Sequence, residues 1–216
     1  MTQSPPNPAP YSEPRERMVD LIRRRGVKDP LVLDAMRSVP RHKLVPPGQL
    51  EYAYADHPMP IGHRQTISQP YIVALMTEAL DLSPGDRVLD VGTGSGYQAA
   101  VLAEMGMEVY TIERIPELHE TATRALEDMG YDVHCRLGNG YEGWPEHAPY
   151  DGIVVAAAPT KIPQPLIDQL AEGGRMVIPV GRLHGYQTLW KVIKEDGEIR
   201  KVDLGGVAFV PCVDEG

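Results

Sequence analysis

Apolar residues recur along the chain at two spacings, one typical of helices and one typical of buried strands. Helical spacing is found in 16–24, from Pro30 to the residue before Pro40, and in 70–80. Beyond residue 86, short apolar runs alternate with further helical segments. This order predicts a parallel sheet with helices on both faces, completed by an antiparallel hairpin. The predicted strands are 88–91, 108–112, 132–137, 150–158, 175–180, 189–194, 199–204 and 207–210, and the helices between them are 97–105, 116–129 and 165–170.

Residues 46–69 show little regular pattern. They contain too many aromatic and apolar residues to stay in water, so we expect an ordered irregular segment, which in a compact chain is often functional. The segment ends just before Pro70, which suits the first turn of a helix. Ser68 or Gln69 lies near the N-cap of that helix, and for Ser68 taken alone the cap is the favoured interpretation. A cap and a functional role can also hold together.

Composition limits the possible classes of protein. The 216 residues, 42% of them hydrophobic, suit one domain with an appended segment or a single enlarged domain. A formal net charge of −9 disfavours nucleic-acid binding, and no apolar run is long enough to span a membrane. Cys135 and Cys212 are far apart in the sequence, which argues against a disulfide scaffold or a zinc site and favours a cytoplasmic location. Residues 1–13 are predicted to be a disordered tail rather than a signal peptide.

The candidate chemistry centres on residues 90–98, where a strand ends in Gly92, Gly94 and Gly96 and a helix follows. Glycines permit a tight turn and close approach of a ligand, and the N-terminus of a helix favours an anionic or polar group. The loop also satisfies the G-x-G-x-x-A pattern of dinucleotide-binding proteins, so an NAD oxidoreductase stays possible. A turn without a ligand is the less favoured interpretation.

The layout of the chain favours S-adenosylmethionine (AdoMet) over NAD. Only about 120 residues follow the loop, too few for a second nucleotide-binding half and a substrate domain. Asp90 and the loop would then hold the amino-acid end of the cofactor. Glu113 would accept hydrogen bonds from both ribose hydroxyls, and the turn 138–140 would lie against the adenine.

The segment Gln65-Thr66-Ile67-Ser68-Gln69-Pro70, preceded by Pro60-Ile61-Gly62, resembles the signature of the protein-L-isoaspartate O-methyltransferase family. The resemblance continues through 88–98, 109–114, 150–159, 170–181 and 209–211. It implies an α/β fold with a doubly wound, Rossmann-like, seven-stranded mixed sheet and an N-terminal helical extension. It also implies AdoMet as methyl donor, S-adenosyl-L-homocysteine as product, no metal, and isoaspartyl residues of damaged proteins as acceptor. A single domain, 14–216, would divide into a helical and substrate-cleft segment, 14–82, and an AdoMet-binding core, 83–216.

The resemblance also assigns residues to the site. Ser68 matches the active-site serine, and Gln65, Thr66 and Ile67 would line the cleft beside it. Ser95, Glu113, Asn139 and Gly140 match cofactor-binding positions. Gly92 and Gly94 are cofactor-binding candidates on the evidence of the loop itself.

The chain departs from the family pattern at two places. Asn139 stands where the family usually has aspartate, so we expect altered cofactor affinity rather than lost function. His63-Arg64 replaces a smaller or amide-bearing pair. Arg64 could pair with a substrate carboxylate, but a surface position is slightly favoured.

An isoaspartyl carboxylate is already ionised at neutral pH, so its methylation needs no general base. Ser68 is therefore predicted to orient the acceptor rather than to act as a nucleophile. Segments 52–69 and 208–213 are the predicted walls of an open groove for the protein substrate, and the chain is expected to be a monomer. The alternatives are a methyltransferase for a small molecule or RNA, and a binding module that keeps the fold without catalysis.

Overall fold

Three helices precede the main sheet in the computed structural model, which describes residues 11–182 and 185–211. They are α1 (Ser12–Arg24), α2 (Pro30–Ser38) and α3 (Pro70–Leu80). The Asp29 side chain caps α2 by accepting a hydrogen bond from the Leu31 backbone N–H at 2.8 Å. Helix α1 begins at Ser12, inside the predicted tail, and the remainder of that prediction, residues 1–10, lies outside the described residues.

The prediction of little regular structure in 46–69 was wrong for its second half. Strands β1 (Met59–Gly62) and β2 (Gln65–Ile67) form a small antiparallel sheet, and a 3-10 helix (Pro47–Tyr52) lies upstream. The turn between the strands holds His63 and Arg64 at φ 49° and 59°. This left-handed backbone usually calls for glycine or asparagine, so the turn gave no recognisable sequence signal.

The main sheet is mixed and has seven strands in the order β5-β4-β3-β6-β7-β8-β9, which confirms the predicted fold class. Strands β3 to β7 are parallel where they pair, and β8 and β9 add to the edge beside β7 in antiparallel fashion. The two predicted strands 199–204 and 207–210 are one strand that ends at residue 207, so 208–210 fall outside it. The strands are β3 (Arg87–Val91), β4 (Glu108–Glu113), β5 (Val133–Leu137), β6 (Tyr150–Val155), β7 (Leu170–Gly181), β8 (Gln187–Glu195) and β9 (Glu198–Val207).

The two faces of the sheet are covered unequally. Helices α4 (Tyr97–Glu104) and α5 (Pro116–Asp128) join α1, α2 and α3 over one face, and one continuous apolar core links helix and sheet residues there. The other face is covered by the short α6 (Gln164–Asp168) and by the loop 138–149. No helix among the described residues is both long and apolar enough to cross a lipid bilayer.

The order in which successive strands are added to the sheet reverses at β3, although the strands themselves stay parallel. Strand β4 pairs with one side of β3 and β6 with the other, so the loops that follow β3 and β6 leave the same edge side by side. The Ala156 backbone N–H donates to the Val91 carbonyl oxygen at 2.8 Å and holds the two loops together. In open α/β sheets such a point forms the crevice in which ligands bind.

Candidate active site

A first cavity lies over the carboxyl ends of β3 and β4, against the glycine loop 92–96. Gly92, Gly94 and Gly96 all have positive φ, at 96°, 54° and 83°. A side chain at Gly96 would meet the Leu126 side chain at 3.3 Å, so the turn needs glycine for its backbone and for its packing. The predicted site residues that line this cavity are Gln65, Thr66, Ile67, Ser68, Gly92, Gly94, Ser95, Glu113, Asn139 and Gly140.

Glu113 anchors the glycine loop to the end of β4. Its Oε2 accepts from the Gly94 backbone N–H at 2.8 Å, and its Oε1 accepts from the backbone N–H groups of Arg114 and Ile115 at 2.8 and 2.9 Å. The side chain is 6% exposed and lines the first cavity. Glu113 thus presents a carboxylate to the cavity from a fixed position.

Asn139 and Gly140 form another part of the wall of the first cavity. Asn139 Oδ1 accepts from the Tyr141 backbone N–H at 3.1 Å, and its Nδ2 donates to Glu142 at 3.2 Å. The side-chain oxygen of Asn139 therefore already uses one of its two lone pairs within its own turn. At Gly140 an added Cβ would stand 2.5 Å from Val91 Cγ1, so this wall requires glycine.

Asp90 is the predicted cofactor residue that the structure does not bring into the cavity. Asp90 is fully buried and pairs in register with Thr111 of β4. Thr111 Oγ1 donates a hydrogen bond to Asp90 Oδ2 at 2.9 Å. The Thr111 and Thr93 hydroxyls are 2.6 Å apart, and Thr93 lines the cavity. Asp90 Oδ1 has no partner among the described residues.

Burial raises the pKa of the Asp90 carboxyl to about 7, although the Thr111 hydrogen bond acts in the opposite direction. The two threonines thus connect a buried, titratable carboxyl to the cavity wall. Sequence reasoning missed both threonines, since only the pairing of β3 with β4 brings them together.

Ser68 precedes α3 but does not cap it. The cap comes from Asp56, whose Oδ1 accepts from the Tyr71 backbone N–H at 3.0 Å and whose Oδ2 accepts from the Gln69 side chain at 2.8 Å. No hydrogen bond holds the Ser68 hydroxyl within the part of the chain that the structure describes. The favoured cap interpretation of Ser68 is therefore wrong, and its hydroxyl is left for another use.

The backbone of Ser68 is held by Arg41. This side chain is fully buried; its Nη2 donates to the Ser68 carbonyl oxygen and its Nε to the Ala53 carbonyl oxygen, both at 2.8 Å. The guanidinium also lies 4.5 Å from the centre of the Tyr97 ring. Burial lowers the pKa of Arg41 to about 10, so the group stays cationic at neutral pH. Sequence reasoning gave no sign of this residue.

A second cavity of about 700 Å³ adjoins the first. Four residues line both cavities, namely Thr66, Ser68, Ala156 and Val210, so Ser68 lies at their junction. Both predicted groove segments contribute to its walls, the first through Pro58, Thr66, Ser68 and Gln69 and the second through 208–210, while 212–213 lie outside the described residues. Helix α3 and strand β9 also line it, which the sequence did not suggest.

Two arginines near the site differ in their position relative to the cavities. Arg64 is exposed at the hairpin turn and lines neither cavity, in agreement with the surface position favoured for it. Arg25, the C-cap residue of α1, lines the second cavity. Among the described residues, no group of three or more His, Cys, Asp or Glu side chains is placed to hold a metal ion.

Comparison with known proteins gives concordant matches over nearly the whole chain. A family model described as Protein-L-isoaspartate(D-aspartate) O-methyltransferase matches residues 13–216. A protein-L-isoaspartate O-methyltransferase from Gloeobacter violaceus is 56% identical over 200 residues, which cover 92% of this chain and 98% of that protein.

Solved structures agree. One protein-L-isoaspartate O-methyltransferase superposes with a TM-score of 0.84 at 30% identity. The match covers 93% of this chain and 66% of that longer chain. A second, from Plasmodium falciparum and in complex with S-adenosyl-L-homocysteine, gives 0.80 at 29% identity and covers 92% of this chain and 98% of its own.

Proposed function

Since the chain belongs to the protein-L-isoaspartate(D-aspartate) O-methyltransferase family, we propose that Ser68 orients the acceptor carboxylate at the junction of its two cavities. The chain transfers a methyl group from AdoMet to the free carboxylate of L-isoaspartyl residues in damaged proteins and peptides. A carboxylate oxygen gains the methyl group, and S-adenosyl-L-homocysteine leaves. We expect the resulting ester to close to a succinimide with loss of methanol and to open partly to normal aspartate.

The first cavity fits the cofactor. Glu113 offers a fixed carboxylate whose remaining acceptor capacity suits a ribose hydroxyl, and the apolar side chains of Ile112 and Ile115 suit a planar base. The Thr93 hydroxyl, backed by Thr111 and the buried Asp90, suits the polar amino-acid end. Bound AdoMet supplies an electrophilic methyl group on a sulfonium, a good leaving group.

The second cavity is proposed to receive the isoaspartyl segment. Its acceptor carboxylate would enter at Ser68 and Thr66, whose hydroxyls can donate to it. The backbone of Ser68 is fixed by Arg41, so the hydroxyl is positioned before the substrate arrives. Because the acceptor is ionised at neutral pH, the chain needs to align and shield it rather than to remove a proton.

The observation that carries this assignment is the position of Ser68, shared by both cavities. We further propose that the chain acts as a monomer in the cytoplasm without nucleic acid, since both cavities form within one acidic chain. We also propose that residues 14–82 form the substrate segment and residues 83–216 the cofactor core. Residues of both line the second cavity.

Methyl transfer to matched peptides tests the function. An isoaspartyl peptide should be labelled from radioactive AdoMet, whereas its aspartyl counterpart and bulk RNA should not. Equal labelling of both peptides, or labelling of RNA alone, would contradict the proposal.

A further inference from the structure

The second cavity extends from the Ser68 junction into a space with several apolar side chains in its lining. Away from the junction it is lined by Tyr71, Ile72 and Leu75 of α3 and by Leu204, Val207 and Phe209. All six are only partly buried, so part of their apolar surface faces the open space. About 700 Å³ lies within the range typical of ligand pockets, about 300–1,000 Å³.

The walls of this cavity are held in place by buried polar contacts. Gln187, 3% exposed, donates to the Phe209 carbonyl oxygen at 3.1 Å and accepts from the Phe209 backbone N–H at 2.6 Å. The Ala158 N–H donates to the Val210 carbonyl oxygen at 2.9 Å. Where α3 lines the cavity, Asp56 fixes the start of that helix. A preformed apolar space of this kind can discriminate between side chains without first having to be ordered.

One fixed cation is part of the lining. Arg25 is the only charged side chain among the described residues that line the second cavity. Its guanidinium lies 3.5 Å from the centre of the Tyr71 ring and is 2.5 Å from Asp56 Oδ2, and 39% of the side chain is exposed. A lysine or arginine brought into this space would lose water and find no free carboxylate, because Asp56 is already engaged by Arg25, the Gln69 side chain and the Tyr71 backbone N–H.

We propose that the second cavity is a side-chain subsite that accepts an apolar substrate residue flanking the isoaspartyl residue and disfavours a cationic one. The proposal rests on the proposed function, because the subsite is continuous with the acceptor position through Thr66 and Ser68. The chain would therefore repair isoaspartyl sites with apolar neighbours fastest.

The test compares isoaspartyl peptides that differ only in one flanking residue, glycine, leucine or lysine, placed on either side in turn. On one of the two sides, leucine should raise kcat/KM about tenfold over glycine, and lysine should lower it below glycine. Rates that differ by less than about twofold on both sides would overturn the subsite and leave the proposed function intact. If no isoaspartyl peptide is methylated, both fall.

Two variants assign the preference to this cavity. Leu75→Ser should lower the leucine-to-glycine ratio of kcat/KM at least about threefold, whereas Leu21→Ser, a half-buried position on α1 outside both cavities, should keep it. Arg25→Gln should raise the lysine-to-glycine ratio, and the exposed Arg24→Gln should not. Unchanged ratios in Leu75→Ser and Arg25→Gln would contradict the proposal.

Discussion

Replacing Ser68 with alanine removes one hydroxyl from the junction of the two cavities and little else. The Ser68 carbonyl oxygen still accepts from the buried Arg41, and the cap of α3 comes from Asp56. We therefore expect the free energy of unfolding to change by less than about 0.5 kcal/mol, the usual range for a position without structural contacts. The loss should appear in catalysis alone.

The size of that loss follows from the bond removed. A hydrogen bond to a charged group contributes about 1.5–3 kcal/mol, and each 1.36 kcal/mol is a factor of ten in rate. Ser68→Ala should therefore lower kcat/KM for an isoaspartyl peptide about 10- to 150-fold. The dissociation constant of S-adenosyl-L-homocysteine should stay within about threefold of the parent value, because Glu113 and the glycine loop, which are proposed to bind the cofactor, are unchanged.

The assay pairs methyl transfer at several peptide concentrations with calorimetric titration of S-adenosyl-L-homocysteine. Ser83→Ala, an exposed serine of the turn before β3, serves as the matched control and should behave as the parent chain. A decrease in kcat/KM of less than about threefold for Ser68→Ala would refute the orienting role. So would a loss of cofactor affinity that accounts for the whole decrease.

Three other substitutions test the framework of the site. Glu113→Gln should weaken S-adenosyl-L-homocysteine binding at least about tenfold in calorimetry, because a carboxylate that accepts three backbone N–H groups becomes an amide. The control Glu117→Gln, at an exposed position, should leave the binding unchanged. Asp56→Ala should lower the free energy of unfolding in urea by about 2–4 kcal/mol through loss of the cap and of a buried acceptor, whereas Asp20→Ala should cost under about 1 kcal/mol. Asp90→Asn removes a carboxyl that holds its proton up to pH about 7 when folded but titrates near 3.8 when unfolded. Between these two pH values the folded parent chain binds more protons than the unfolded one. The stability of the parent chain relative to Asp90→Asn should therefore fall as pH rises from about 4 to 7, by at most about 1.4 kcal/mol per pH unit, and level off above pH about 7. A difference in urea midpoints that stays flat or rises with pH would contradict the buried state.

Much of the sheet could be predicted because its central strands are buried on both faces and form continuous apolar runs, as in β3 and β6. The β1–β2 hairpin could not, since its strands have four and three residues and its turn holds His63 and Arg64 where a glycine is usual. Local propensity carries little information over so short a stretch.

The site shows the same division. The position of Glu113 follows from its place at the end of a strand beside the loop, and the structure keeps it at the cavity. Asp90 has the same kind of position, but its side chain is buried beside Thr111, and the end of a strand does not reveal which face a residue takes. Asp56 caps α3 across 15 residues of sequence and Arg41 holds the Ser68 carbonyl oxygen across 27, and such distant contacts leave no local pattern.

The most direct test is a crystal structure of the chain with S-adenosyl-L-homocysteine and an isoaspartyl peptide. We predict the peptide in the second cavity, with an oxygen of its free carboxylate about 3 Å from the Ser68 hydroxyl and facing the first cavity. A carboxylate bound away from Ser68, or a peptide outside the second cavity, would contradict the account.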